Sequence, residues 1–309
     1  MRNRFVAALS VLCALAIVGC GSSSSKSSSG ASGSSTSASG TATSAAGSAS
    51  ADPAVVKLVP ASIKSKGTLT VASDASYAPD EFIAPDGHTV IGMDADLTKA
   101  LAGVMGLKAN VLNVPFASIL AGLTAGKYDV GASSFTDTKM REKSVDFVTY
   151  FTAGESFFTK ASGGVTISGI GDLCGHTVAV EQGTTEKDDA TAQGAKCKQA
   201  GKPGVTVLVF PDQNGANLAL SSGRAQLGFA DSPVAEYQVK KSNGTFKIVG
   251  ASIANAPYGL AVAKGSGLTK PLLAALHVLM KDGTYRSILT HWGIQAGAIT
   301  NPTINGAIS

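Results

Sequence analysis

The chain has 309 residues, 44% of them hydrophobic, 6% aromatic and only 15% charged, with 25 Lys and Arg against 21 Asp and Glu. That is enough apolar material for one large or two ordinary globular domains. A formal charge of +4, with the basic residues scattered, excludes the cationic stripe that neutralises successive phosphates, so no nucleic-acid partner is expected.

Arg2 and Arg4 precede an apolar run from Phe5 to Val18 that is too short to span a bilayer comfortably, so residues 1–19 read as an export signal. The run closes with Ile17-Val18-Gly19-Cys20, which resembles the bacterial lipobox. That resemblance implies that Cys20 is diacylated and becomes the first residue of a membrane-anchored chain; the alternative is an ordinary secretory signal with a fortuitous cysteine. Residues 21–51 are Gly, Ser, Ala or Thr apart from Lys26. Such a composition cannot bury enough apolar surface to offset the entropy of ordering, so residues 20–51 form a flexible tether. As a coil it would hold a domain roughly 30 Å from its anchor.

Cys13 leaves with the signal and Cys20 is assigned to lipid, which leaves Cys174 and Cys197. Two remaining thiols in an oxidising compartment are expected to pair. Zinc is the rival, but no CxxC or HxxxH spacing is present and His88, His176, His277 and His291 are scattered, so no metal site is assigned.

From Asp52 onward, strand-like runs alternate with helical ones. Residues 68–73, 110–114, 128–133, 176–181, 205–210 and 226–230 are strand-like, while 93–104, 117–125, 214–222 and 268–281 carry apolar residues at helical spacing. This alternation predicts an α/β architecture with mainly parallel sheets, and the length suits two lobes better than one core. Gly163, Gly164, Gly169 and Gly171 mark a loop soon after the passage into the second lobe.

The usual catalytic signatures are missing. There is no GxSxG nucleophile elbow. Residues 122–127 (GLTAGK) are one residue short of a phosphate loop and are followed by Tyr128 instead of Ser or Thr, so they read as a helix end. Gly265-Ser266-Gly267 lacks the third glycine of a dinucleotide fingerprint. No cofactor is expected, and the chain is read as a non-enzyme.

The positive signal lies in short segments in fixed order: residues 69–82 (LTVASDASYAPDEF), 91–97 (IGMDADL), 115–130 (PFASILAGLTAGKYDV), 133–149 (SSFTDTKMREKSVDFVT), 181–185 (EQGTT), 231–234 (DSPV), 257–263 (PYGLAVA) and 281–292 (KDGTYRSILTHW). Together they resemble the extracellular solute-binding proteins, family 3, of polar amino-acid ABC importers, such as the histidine-, glutamine- and lysine/arginine/ornithine-binding proteins. The resemblance covers essentially all of residues 60–295. It implies a two-lobed, periplasmic-binding-protein-like (type II) fold with two crossover hinge strands. Lobe 1 would take residues 52–154 and 251–309, and lobe 2 residues 155–250.

Carried over by position, Arg141 matches the arginine that holds the ligand α-carboxylate, and Asp231 the acid that takes the α-ammonium. A planar guanidinium grips a carboxylate through two parallel bonds, and an aspartate accepts charge-assisted bonds from an ammonium. Ser133, Ser134 and Thr136 match first-lobe polar contacts; Thr184 and Thr185 match second-lobe contacts near a helix start. Asp74 and Tyr77 match positions facing the ligand side chain in members that take cationic or amide ligands, and Phe116 an apolar position packed against it. By itself, each residue also has a plainer reading: Arg141 as a solvated helix residue, Asp231-Ser232-Pro233 as an N-cap and first turn, Thr184 and Thr185 as caps. Asp80 stands where the family usually has Phe, and reads either as a second carboxylate near the pocket or as a solvated loop residue. Glu81 is read as structural.

The implied function is an exported, lipid-anchored, monomeric protein that captures a polar L-amino acid, cationic or amide, by hinge closure. It would hand the ligand to a membrane ABC permease served by a separate ATPase. A sensor module for a signalling partner and a cyclohexadienyl-dehydratase-like enzyme are the alternatives.

Overall fold

The computed structural model describes residues 49–308. The export signal, Cys20 and most of the tether lie outside the described residues. The elements run α1 (Pro53–Leu58), α2 (Ala61–Lys66), β1 (Thr68–Ser73), β2 (Ser76–Tyr77), β3 (Glu81–Ile83), β4 (Val90–Ile91), α3 (Met93–Val104), β5 (Lys108–Asn113), α4 (Phe116–Thr124) and β6 (Val130–Gly131). They continue with β7 (Val145–Lys160), β8 (Thr177–Glu181), α5 (Thr185–Gln199), β9 (Thr206–Phe210), α6 (Gln213–Ser221), β10 (Leu227–Asp231), α7 (Ser232–Lys241), β11 (Phe246–Ala263), α8 (Thr269–Lys281) and α9 (Thr284–Trp292).

Strands β5-β1-β6-β11-β7-β10-β8-β9 lie side by side in that order. At one end β1 runs parallel to β5 and β6, and at the other β8 runs parallel to β9 and β10. Between them β7 and β11 form a long antiparallel pair. These two strands give the protein its two lobes. On β7, Tyr150, Phe151 and Ala153 pack in a core with α3, α8 and α9, whereas Phe157, four residues on, packs with Val178 and Phe229 in a second core. On β11, Val249 belongs to the second core and Tyr258 to the first. The β7–β11 register shifts between Val249 and Ile253 and again between Ile253 and Ala256, so the ladder is broken where the lobes meet. Gly154 is required there, because a Cβ would lie 2.3 Å from the Ser252 hydroxyl and 2.7 Å from the Ile253 carbonyl.

Local chemistry accounts for the elements that position the site. In α3, Asp94 and Asp96 occupy the first turn, where carboxylates suit the helix dipole. Gly92 before it has φ +127°, and a Cβ would meet the Asp80 carbonyl at 2.3 Å. The GLTAGK segment holds the end of α4 at Thr124 and, just after it, Gly126 at φ +69°. The expected strand at 128–133 shrinks to Val130–Gly131, because Ser133 and Ser134 turn away from the ladder. Helix α5 carries no apolar stripe; its buried side is made of Glu186, Ala190, Gln193, Gly194 and Cys197. It is fixed by the Thr184 cap, whose hydroxyl accepts the Lys187 amide at 3.3 Å, and by the disulfide from Cys197 to Cys174.

Among the described residues no helix is long and apolar enough to cross a membrane, and no group of three or more His, Cys, Asp or Glu could hold a metal ion. Both remaining cysteines are used in the disulfide, 23 residues apart in sequence. In the chain-entropy picture a loop of this length contributes on the order of 3 kcal/mol. Reduction is expected to lower the melting temperature while perturbing ligand affinity less. Free-thiol titration of the unreduced, folded mature protein should detect neither cysteine; detection of both would contradict the pairing.

Candidate functional site

The parallel strands β1, β6, β8 and β10 all point their carboxyl ends at the cleft, which is where open α/β sheets place their ligand sites. A narrow cavity lies there, lined by residues of both lobes. All ten residues expected to meet a ligand line it. Asp74 and Tyr77 follow β1, Phe116 opens α4, and Ser133, Ser134, Thr136 and Arg141 follow β6. Thr184 and Thr185 begin α5, and Asp231 ends β10.

Arg141 lies between lobes and rings. Its Nη1 donates to the Thr136 carbonyl at 2.8 Å and its Nη2 to the Gly183 carbonyl of the other lobe at 3.0 Å. Its guanidinium carbon is 5.6 Å and 5.4 Å from the ring centres of Phe116 and Phe135, which stack on each other. Two of five N–H donors are thereby used. Asp231 occupies the N-cap position of α7, yet its side chain makes no cap bond. Instead Oδ2 accepts the Tyr77 hydroxyl at 3.0 Å, and the Asp231 amide donates back to that hydroxyl at 3.0 Å. Tyr77 thus reaches from the first lobe to the second. The Ser76 hydroxyl, which accepts the Gln213 amide at 3.0 Å, adds a further tie.

Asp74 points inward with Oδ2 accepting the Phe116 amide at 2.9 Å. Ser133 accepts the Asp74 amide and donates to Glu81 at 2.8 Å. Ser134 has φ +47°, a costly conformation for a residue with a Cβ. Its amide is held by Asp94 at 2.7 Å and its hydroxyl donates to Asp80 at 3.0 Å. Asp80 is not the solvated loop residue: it is fully buried and lies near the pocket, behind the lining residue Ser134, without lining the cavity itself. Thr184 is both a cap and a lining residue.

Three lining residues were outside the sequence expectation: Glu81, Glu181 and Glu186. Glu81, read as structural, does both jobs. Glu181 ends a correctly expected strand, and the rule that ligands gather at strand carboxyl ends is the signal that would have found it. Glu186 sits in a Glu-Lys-Asp-Asp run that looks like an exposed helix start; only the fold turns it inward, where it is 2% exposed.

Among the described residues the lining therefore sets five carboxyl groups (Asp74, Glu81, Glu181, Glu186 and Asp231) around one basic side chain, Arg141. Burial dominates their titration. It pushes Glu181 up to about 10, with Asp74 adding to the effect, and Asp231 up to about 8, with Glu155 adding. Glu81 and Glu186 are pushed well above the carboxylate range by burial, then by Asp94 and by Asp231 respectively. Burial also lowers the Arg141 pKa, opposed by Glu186 and Asp231. Unpartnered carboxyl oxygens remain on Glu181 and Glu186. An arrangement of this kind is poorly satisfied by itself and well satisfied by a ligand that brings one carboxylate and more than one cationic group.

Residues 69–295 match the family model of bacterial extracellular solute-binding proteins, family 3. An arginine-binding protein, ArgT, of Corynebacterium glutamicum is 36% identical over 254 residues, covering 82% of this chain and 83% of that protein. Among solved structures, an ancestral arginine-binding protein bound to arginine superposes with a TM-score of 0.67 at 36% identity, covering 74% of this chain and 98% of the other. An ancestral amino acid-binding protein described as a precursor of cyclohexadienyl dehydratase gives 0.67 at 33% identity, covering 75% and 97%.

The raised carboxyls make a statement about stability. Asp94, at about 6, and Asp231, at about 8, keep protons in the folded state that an unfolded aspartate releases near pH 4. Between those limits the folded state binds more protons than the unfolded one, so stability falls as pH rises. The melting temperature of purified protein without added ligand is expected to decline from pH 5 to pH 8. Asp231→Asn, which cannot ionise, should flatten the upper part of that decline; an unchanged slope would show that Asp231 is ionised throughout.

Proposed function

The chain belongs to the bacterial extracellular solute-binding proteins of family 3, and from that premise we propose that it captures a cationic L-amino acid of the arginine, lysine and ornithine class for an ABC importer. The observation that carries this reading is the cavity lining, five carboxyl groups around a single guanidinium. In this assignment Arg141 takes the ligand α-carboxylate and Asp231 the α-ammonium. Asp74 and Glu181, which both line the cavity, take the distal cation. Thr136 and Thr185, 3.4 Å apart across the cleft, and Ser133 and Ser134 complete the polar contacts. Phe116 and Tyr77 supply the walls against which the aliphatic stem packs.

Capture works by bridging. One lobe offers Arg141 and Asp74, the other Asp231 and Glu181, so a ligand that satisfies all of them stabilises the closed arrangement by differential contacts. Desolvation in the closed cleft then strengthens each charged bond. The similarity to an arginine-binding protein supports the cationic class. The same reading includes export, lipid attachment through Cys20, a monomeric state and transfer to a permease driven by a separate ATPase. The dehydratase alternative suggested by the ancestral precursor fits less well, because prephenate carries two carboxylates and the cavity offers one basic group. Turnover of prephenate by the purified protein would overturn the assignment.

Calorimetric screening of the mature protein against the twenty amino acids and ornithine tests the class directly. Arginine, lysine or ornithine should bind tightest, and glutamate or aspartate as the tightest ligand would refute the reading.

Arg141→Ala is expected to cost about 3 to 5 kcal/mol of binding, because it leaves a buried carboxylate without its partner. The fold should survive, as judged by an unchanged circular dichroism spectrum. Affinity equal to wild type would remove Arg141 from the site.

Asp74→Asn removes a charge and keeps the shape. Titration with a cationic ligand should show a loss of about 1.5 to 3 kcal/mol, the scale of a hydrogen bond to a charged group. Glutamine, measured on the same variant, should be affected less.

A further inference from the structure

The guanidinium on which carboxylate recognition is proposed to depend stands on a segment with little structure of its own. Between β6 and β7, residues 132–144 contain only a single short turn, Arg141–Lys143. Inside the segment, the Arg141 amide donates to the Thr138 hydroxyl at 3.2 Å and the side chain to the Thr136 carbonyl. Lys139 pairs with Glu142 at 3.1 Å within the segment, Thr136 bridges Tyr258 of β11, and a further restraint comes from residues 301–308, which lie beyond the stretch matched by the family model.

This terminal stretch is laid along β7 as an extra partial strand. Ile304 bridges Val148. The Thr149 amide donates to the Thr303 carbonyl at 2.9 Å, and the Thr303 amide to the Thr149 hydroxyl at 2.7 Å. Asn305 exchanges bonds with the backbone of Phe147 in both directions, and its side-chain amide donates to Asp146 at 3.1 Å. The chain then lies flat against the strand, since a Cβ on Gly306 would meet the Thr303 hydroxyl at 2.5 Å and the Thr149 methyl at 2.9 Å.

Its last two contacts fall on either side of Arg141. The Gly306 amide donates to Asp137 at 2.8 Å, and the Ala307 amide to Glu142 at 3.1 Å. Asp137 is fully buried, and its own amide donates to the Pro257 carbonyl of β11 at 2.8 Å. The arginine turn is therefore clamped at both ends to two elements that do not touch the ligand cavity: the crossing strand and the terminal stretch.

We propose that residues 301–308 are a strap that orients Arg141 for carboxylate recognition, with Asp137 and Glu142 as its positioning residues. A bidentate grip needs the guanidinium plane held in register with the carboxylate, and a turn this short cannot hold it alone. The proposal rests on the reading of Arg141 as the carboxylate partner. It differs from a merely stabilising tail in what it predicts for ligands that lack the carboxylate.

L-arginine and L-argininamide share the side chain and the α-ammonium, but the amide has no α-carboxylate. In the full mature chain, Glu142→Ala and, separately, Asn305→Ala should weaken L-arginine by about tenfold, the scale of one charge-assisted bond. Binding of L-argininamide should change little. Glu142→Gln keeps an acceptor for the Ala307 amide and should bind L-arginine as wild type does. Equal losses for both ligands in the alanine variants, or no loss for L-arginine, would overturn the strap. Wild-type protein that does not prefer L-arginine to L-argininamide, with Arg141→Ala unchanged, would instead remove Arg141 as the carboxylate partner.

Discussion

The burial of charge between two lobes is the constraint on which the rest of the structure depends. Five carboxyls and one guanidinium are withdrawn from water at the carboxyl ends of four strands. Withdrawing them is costly unless each finds a partner, and the protein supplies only some of those partners. Tyr77 and the amide of Phe116 answer Asp231 and Asp74; the Thr136 and Gly183 carbonyls answer Arg141. What stays unanswered, the free oxygens of Glu181 and Glu186 and the unused donors of Arg141, describes the shape and charge of the missing partner.

That cleft exists because β7 and β11 are long enough to serve two cores. Each strand enters one hydrophobic cluster and leaves in another, and two of the three irregularities in their pairing fall where they cross. The lobes are thereby tied together by two continuous strands with a weak point at the crossing. Ser232 is placed at that point, with its hydroxyl bonded to the Gly154 carbonyl and to the hydroxyls of Ser156 and Ser252. It adjoins Asp231, so the residue assigned to the ligand ammonium is one peptide away from the strands that would move.

Around Ser133 and Ser134 the acids form a second layer, of which Glu81 also reaches the cavity. Asp80, Glu81 and Asp94 are fully buried and packed together, with Ser133 and Ser134 as donors. Burial pushes all three upward, and Asp94 adds to the rise at Asp80 and Glu81. This layer holds Ser134 in its left-handed conformation and so sets the first-lobe edge of the site. Acids that bind and acids that support are chemically alike, and depth in the fold decides which role each has.

By itself the sequence determined the elements whose patterning is local. The alternation in Thr68–Ser73 and the helical spacing in Met93–Val104 coincide with β1 and α3, and the pairing of the last two cysteines followed from their number. The ordered short segments led to the family and to ten residues that come together around one cavity. Tertiary structure decided what depends on distant partners. Helix α5 has no apolar stripe and is held by a cap and a disulfide, while β11 tolerates Gly250, Gly259 and Pro257 because β7 pairs with it along most of its length. It also decided that Asp80 faces Ser134, that Glu186 turns inward from an acidic run, and that the terminal stretch reaches Asp137 and Glu142. A carboxylate reads the same in a sequence whether it is solvated, buried or paired, because its free energy is set by neighbours that only the folded chain brings within reach.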